Sequence, residues 1–239
     1  EEMGKHHAEH VNKMMLEDVT TPAGNDFESL DRVTADPDKL TVASGSVDAL
    51  TDHDMYSITR DGSAAFHSAE CDIGGDGTGT SVNRNLSLNQ LDGLFQQIWV
   101  RGGNPKVILT GYDTLMRTQQ LLQSQQRFMD SKRITPTYSG VKGVPGIEAG
   151  FIVATYNGVP IIPTKDMGDE GAGSLSRAYY LDTDYLWFQT AIPTQYFESG
   201  IETGDPFAIN RLGQEGLYRT MGELWCSFFG ASGSIRDLQ

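Results

Sequence analysis

This chain has few cysteines, no long apolar run and no histidine beyond residue 67. Cys71 and Cys226 stand far apart without C-x-x-C spacing, so no disulfide framework or zinc knuckle is written here. Two reduced, buried thiols are expected, with a single bridge between them as the alternative. No stretch approaches the ~20 apolar residues that a membrane-spanning helix needs. The opening EEMGKHHAEH has neither an initiator Met nor the apolar segment of a signal peptide, and reads as a product of cleavage or trimming. His6, His7, His10, His53 and His67 all precede the strongly periodic part of the chain. A Ser-His-Asp or Cys-His set would have to draw its base from poorly organised segments.

Positive charge is scarce too. Against 32 Asp and Glu there are 18 Lys and Arg, a net charge of −14. Residues 1–80 hold 17 acids and 5 bases, a net −12, and the remainder is nearly balanced at −2. No basic patch with interleaved aromatics is present, so groove binding to nucleic acid is not expected. The acid excess also suggests a salt-rich environment, hence a salt-loving host.

What is present suffices for one large domain or two interleaved ones: 239 residues, 38% of them hydrophobic. Residues 1–17 carry Met3, His7, Val11, Met14 and Met15 at helical spacing, and Pro22 and Gly24 close that helix. A short amphipathic turn follows, ending near Pro37. From Ser44 to Asn85 the chain is polar, acidic and glycine-rich, and reads as a surface excursion with at most short strands. Ser87 and Gln90 then form an S-x-x-Q capping box. Leu88, Leu91, Phe95 and Ile98 mark one helix face, widened by Leu94 and Trp99, and Gly102-Gly103 ends it. A buried strand (106–110) precedes a second helix with Leu115, Leu121, Leu122 and Phe128 for packing. Residues 129–146 form a long cationic loop. Beyond it the period changes to two, with Asn157-Gly158 as the pair favoured in a type I′ turn. Two more strands flank Asp182-Thr183-Asp184, and an aromatic strand re-pairs after Gly230 and Gly233.

The motifs that could carry chemistry are weak. Gly74-Gly75-Asp76-Gly77-Thr78 spells the GGDGT of diacylglycerol and NAD kinases. A phosphate loop needs a buried strand before it and a helix opening after it. Neither is expected here, because the next helix starts at Ser87, so a flexible loop is the favoured reading. His6 and His10 sit one helical turn apart beside Glu9, but HHAEH is not H-E-x-x-H, and a solvated helix surface is favoured over zinc. Asp166, Asp169 and Glu170 lack the alternation of a calcium loop. Asp182 and Asp184 read as turn formers. No catalytic residue, cofactor or metal is expected, and the chain is not expected to be an enzyme.

The order of these elements resembles that of the major capsid proteins of tailed phages and related archaeal viruses, with their Hong Kong 97-like fold. VNKMMLEDVTTPAGNDFESLDRV looks like the end of the long spine helix. LSLNQLDGLFQQIWVRGGNPKVILTGYDTLMRTQQLL resembles the helix, bend, strand and helix that open the axial domain. GFIVATYNGVPIIPTKDM is similar to its hairpin, AYYLDTDYLWFQ to its strand pair, and GLYRTMGELWCSFFGASGSIRDL to the strands that return to the peripheral domain. An alternative alignment would make 44–85 the extended loop and 86–101 the spine helix.

The resemblance implies an α+β fold with a peripheral domain (spine helix plus strands) and an axial domain (mixed sheet flanked by helices). It divides the chain into 1–43 (peripheral, first part), 44–85 (insertion), 86–194 (axial) and 195–239 (return strands). It implies a structural subunit that assembles with copies of itself, through pentamers and hexamers, into an icosahedral virion shell around double-stranded DNA bound without sequence specificity. Portal, scaffold, maturation protease and decoration proteins are the further partners it implies; a membrane is not. Lys132, Arg133, Tyr138 and Lys142, in the cationic loop, are candidate contacts with an acidic neighbouring subunit. The rivals are an encapsulin-type shell around protein cargo, a nucleotide-binding enzyme using Gly74–Thr78, and a monomeric binding module.

Overall fold

The computed structural model describes residues 2–16, 27–36, 54–56, 58–60, 69–72, 74, 83–124, 131–134, 151–167, 175–200 and 214–239. They form a mixed α+β architecture. Helix α1 (Glu2–Leu16) turns Gly4, His7, Val11 and Met14 inward at three- and four-residue steps. Met3, expected on that stripe, is exposed, and Gly4 takes the inward position facing the Tyr218 ring. The single turn α2 (Leu30–Val33) starts where Ser29 Oγ accepts from Arg32 N–H at 3.3 Å. Helices α3 (Leu88–Val100) and α4 (Tyr112–Ser124) follow the period read from sequence. Gln90 Oε1 accepts from Ser87 N–H at 2.9 Å, and Gly102, at φ +95°, ends α3 in a conformation that a Cβ would strain. Trp99 departs from expectation: it is 68% exposed, since Leu94 and Ile98 already fill the face turned to the sheet.

The strands are β1 (Asp54–Met55), β2 (Ile58–Thr59), β3 (Glu70–Asp72), β4 (Val107–Thr110), β5 (Ser131–Ile134), β6 (Phe151–Tyr156), β7 (Val159–Pro163), β8 (Ala178–Leu181), β9 (Leu186–Gly200), β10 (Gln214–Cys226) and β11 (Gly233–Ile235). Seven of them make one sheet in the order β3-β11-β8-β4-β7-β6-β5. β4 runs parallel to β7 and β11 parallel to β3; the other neighbours are antiparallel. β6 and β7 meet through Asn157 (φ 50°) and Gly158 (φ 78°), the two-residue turn expected. Asp92 on α3 pins that turn, accepting from Tyr156 O–H at 2.5 Å and from Asn157 Nδ2 at 3.3 Å.

β8 is buried on both sides, and its pleat divides the interior into two cores. Tyr180 points into the core beneath α3 and α4, among Leu91, Leu94, Ile98, Leu115 and Ile161. Tyr179 points the other way, toward Leu16, Leu30, Val33, Met55, Leu224 and Phe229. The stretch 44–85, expected as a surface excursion, is more deeply built in than its polar composition suggests. Met55, Arg60, Ala69, Glu70 and Cys71 are buried, and β3 forms one edge of the large sheet. Arg60 is accommodated because its guanidinium donates to Arg32 O (2.6 Å) and Ala35 O (2.8 Å) and lies 4.4 Å over the Phe229 ring. Burial still pulls its pKa down to about 10.

Candidate assembly surface

β9 and β10 form a separate two-stranded antiparallel ribbon, in register from Gln214↔Gly200 to Cys226↔Leu186, with irregularities between Arg219 and Gly222. Residues directly opposite one another share a face, and faces alternate along each strand. On the inner face, Tyr218 and Thr220 meet α1: His7 Nε2 lies 2.8 Å from Thr220 Oγ1, and its ring stacks on Tyr218 at 5.7 Å. Thr194 Oγ1 lies 2.9 Å from the same Thr220 hydroxyl. Nearer the body, Leu224 and Cys226 enter the second core, and Phe188 meets Phe27 edge-on at 5.2 Å. Burial pushes the Cys226 thiol up to about 11.

The outer face is different. Trp187 opposite Trp225, Phe197 opposite Leu217, and Met221 at the irregularity are 41 to 63% exposed. Tyr56 stacks on Trp225 at 4.6 Å; among the described residues no second layer lies over the rest. Tyr56 also closes the edge of β10, donating its hydroxyl to Leu224 O at 2.5 Å and accepting from Cys226 N–H at 3.1 Å.

A buried ionic latch ties the large sheet to α2, whose Leu30 and Val33 share the second core with the base of the ribbon. Asp31 Oδ1 on α2 accepts from Arg177 Nη1 at 2.8 Å, Arg236 Nη2 at 2.5 Å and Tyr179 O–H at 3.1 Å. All four side chains are buried. Burial is the largest influence on Arg236 and works against its charge, but Asp31, together with Cys71 and Tyr179, outweighs it and holds the guanidinium above its ordinary range. Burial, then the Asp31 charge, raises the Tyr179 phenol. Arg236 also donates to Asp31 O at 3.1 Å and to Ser234 Oγ at 3.4 Å, so α2 and the tail of β11 are held together. At the far end of α1, Lys165 meets Glu9 at 3.1 Å and Asn12 Nδ2 donates to Asp166 Oδ2 at 2.7 Å.

The residues singled out from sequence fall in scattered places. Lys132 and Arg133 lie on β5, an edge strand paired with β6 at Val153 and Ile152, and so belong to a strand where a loop was expected. Tyr138 and Lys142 lie outside the described residues, as do Asp169 and Glu170. Of the GGDGT loop only Gly74 is described; its N–H donates to Asp237 Oδ2 at 2.8 Å. The buried strand judged missing before that loop is present as β3, although it is only three residues long. His6 and His10 are exposed on α1 and line, with Met3, His7, Leu217 and Tyr218, a groove of about 420 Å³ against β10. Cys71 and Cys226 are free, buried thiols. Asp182 is a turn former as expected: Oδ1 accepts from Asp184 N–H at 3.1 Å, and Oδ2 ties in Asn104 N–H at 3.0 Å. Asp184 in turn pairs with Lys106.

Sequence reasoning missed the Asp31 latch and the outer stripe. Nothing local marks Asp31, whose partners are 146 and 205 residues away. The stripe had a usable signal, since Leu217, Met221 and Trp225 recur at four-residue steps in a strand pattern.

No known protein family and no curated protein sequence matches the chain. Among solved structures it is similar to the holo-SrpI encapsulin complex from Synechococcus elongatus PCC 7942, at 13% identity and a TM-score of 0.43. The match covers 65% of this chain and 50% of that one, so the chain spans about half the length of that protein.

Proposed function

We propose that this chain is a shell-building subunit with a structural role and no catalytic one. In this reading it assembles with copies of itself into a closed, Hong Kong 97-like container. The observation that carries the proposal is the ribbon. An isolated two-stranded sheet is marginal in water unless a hydrophobic face is covered. This one has its base in the second core and the β10 side of its inner face against α1, with Thr194 and Tyr196 of β9 exposed beyond, and its outer face is open with five large apolar side chains along it. Extended apolar surface of this kind is characteristic of protein–protein contact. A helix lying along a long ribbon, beside a helix-flanked mixed sheet, also suits the division into peripheral and axial parts expected from the sequence.

The finer reading is a viral shell of pentamers and hexamers around double-stranded DNA. An encapsulin-type shell around protein cargo would use the same subunit geometry, and the contents of purified particles separate the two. Electron microscopy of negatively stained protein, with light scattering at low and high salt, is the direct test. Closed particles, or rings of five and six, are expected. Nuclease-protected DNA inside would assign the shell to a virus, and protein alone would assign it to a compartment. A monomer of 26.2 kDa in every salt would overturn the shell reading.

A further inference from the structure

The edge of β10 carries a second, more specific feature. Among the described residues β10 pairs with β9 alone, and its other edge is closed near the base by the Tyr56 hydroxyl. No described strand lies against that edge from Gln214 to Arg219, where the register stays regular until the irregularity. This stretch reads Glu215-Gly216-Leu217-Tyr218-Arg219, with an acid two residues before Leu217 and a base two residues after it. All three of these side chains are exposed and lie on the outer face.

We infer that two copies join here edge to edge, through an antiparallel β10–β10 ladder centred on Leu217. This rests on the self-assembly proposed above and specifies one of its contacts. In that register Glu215 of each copy opposes Arg219 of the other, twice over by symmetry, and Leu217 opposes itself. Gly216 opposes Tyr218, and the space that a Cβ would take at Gly216 is already filled by the Tyr196 ring of the same chain. Neighbouring registers of the same parity are rejected by charge. Centring on Arg219 sets Arg219 against itself and Glu215 against Glu223, while centring on Glu215 sets two carboxylates together. The product is a four-stranded sheet that crosses the subunit boundary, with backbone hydrogen bonds supplying affinity and the charge pattern supplying register.

The test uses the full chain and two independent readouts. Leu217→Cys should form an intermolecular disulfide under mild oxidation, while Gln195→Cys, on β9 of the same face, should not. Glu215→Arg or Arg219→Glu alone should lower assembly measured by sedimentation about tenfold, and the double exchange should restore it. Circular dichroism unchanged from the parent would confirm that each variant is folded. Particles that form normally while Leu217→Cys cross-links no better than Gln195→Cys, and while the charge exchanges have no effect, would overturn this contact and leave the shell reading standing. A chain monomeric in every salt would overturn both.

Discussion

The seven-stranded sheet and the β9–β10 ribbon are built from similar residues but are completed differently. In the sheet the central strand β8 is covered on both faces, and Tyr179 and Tyr180, adjacent in sequence, each reach a filled core. In the ribbon the inner face is covered at its base and on the β10 side, and the outer face is left apolar and open. Burial of a large apolar side chain is worth about 1.5–3 kcal/mol, so the sheet realises its stabilisation on folding. The outer stripe of the ribbon can realise its share only on meeting another surface. Substitutions in the sheet should therefore act on folding, and substitutions on the ribbon's outer face should act on association.

The largest effect should come from the latch between the two regions. Asp31→Asn leaves Arg177 and Arg236 buried without their carboxylate and should cost about 3–5 kcal/mol, read as a lower urea midpoint. Within the sheet, Ile98→Ala opens a cavity beneath α3 and should cost about 2–5 kcal/mol by the same measurement, with assembly lost only as folding is lost. The Cys226 thiol ionises near pH 9 in the unfolded chain and near about 11 in the fold, so its contribution is complete below pH 9 and is lost as pH rises through 11. That loss should reach about 3 kcal/mol, and Cys226→Ala should flatten the stability profile across this window. Tyr56→Phe removes the hydroxyl that closes the β10 edge and should cost about 1 kcal/mol in denaturation. Leu217→Ser should change folding by no more than about 0.5 kcal/mol and yet weaken particle formation in light scattering. A large folding penalty for Leu217→Ser would break the comparison.

The sheet was the more legible region, because its signals are local. α3 declares itself by Leu88, Leu91 and Ile98 at helical spacing with Gln90 capping the start. The β6–β7 turn is written in Asn157-Gly158, where only positive φ fits. The misreadings follow from non-local partners. Arg60 looked like part of a loose excursion because the carbonyls it needs, at Arg32 and Ala35, lie 28 and 25 residues away. β3 was overlooked because three residues hold no periodicity, and its place is set by β11 across the sheet. Trp99 continued an apolar pattern, but the neighbouring residues had already filled the space below the helix. Of the candidate surface, the aromatic content was visible, but which aromatics face outward depends on the register of β9 against β10.

The position of β11 has a consequence for the timing of synthesis. It lies between β3 and β8, so the sheet cannot close on the β3 side until residue 235 has left the ribosome. The paired residues Asp72 on β3 and Ile235 on β11 are separated by most of the chain, and at ordinary elongation rates the wait is about ten seconds or more. Throughout that wait the Asp31 latch lacks Arg236, and the base on which the ribbon is held is incomplete. A nascent or prematurely ended chain therefore has no firm platform for its assembly surface.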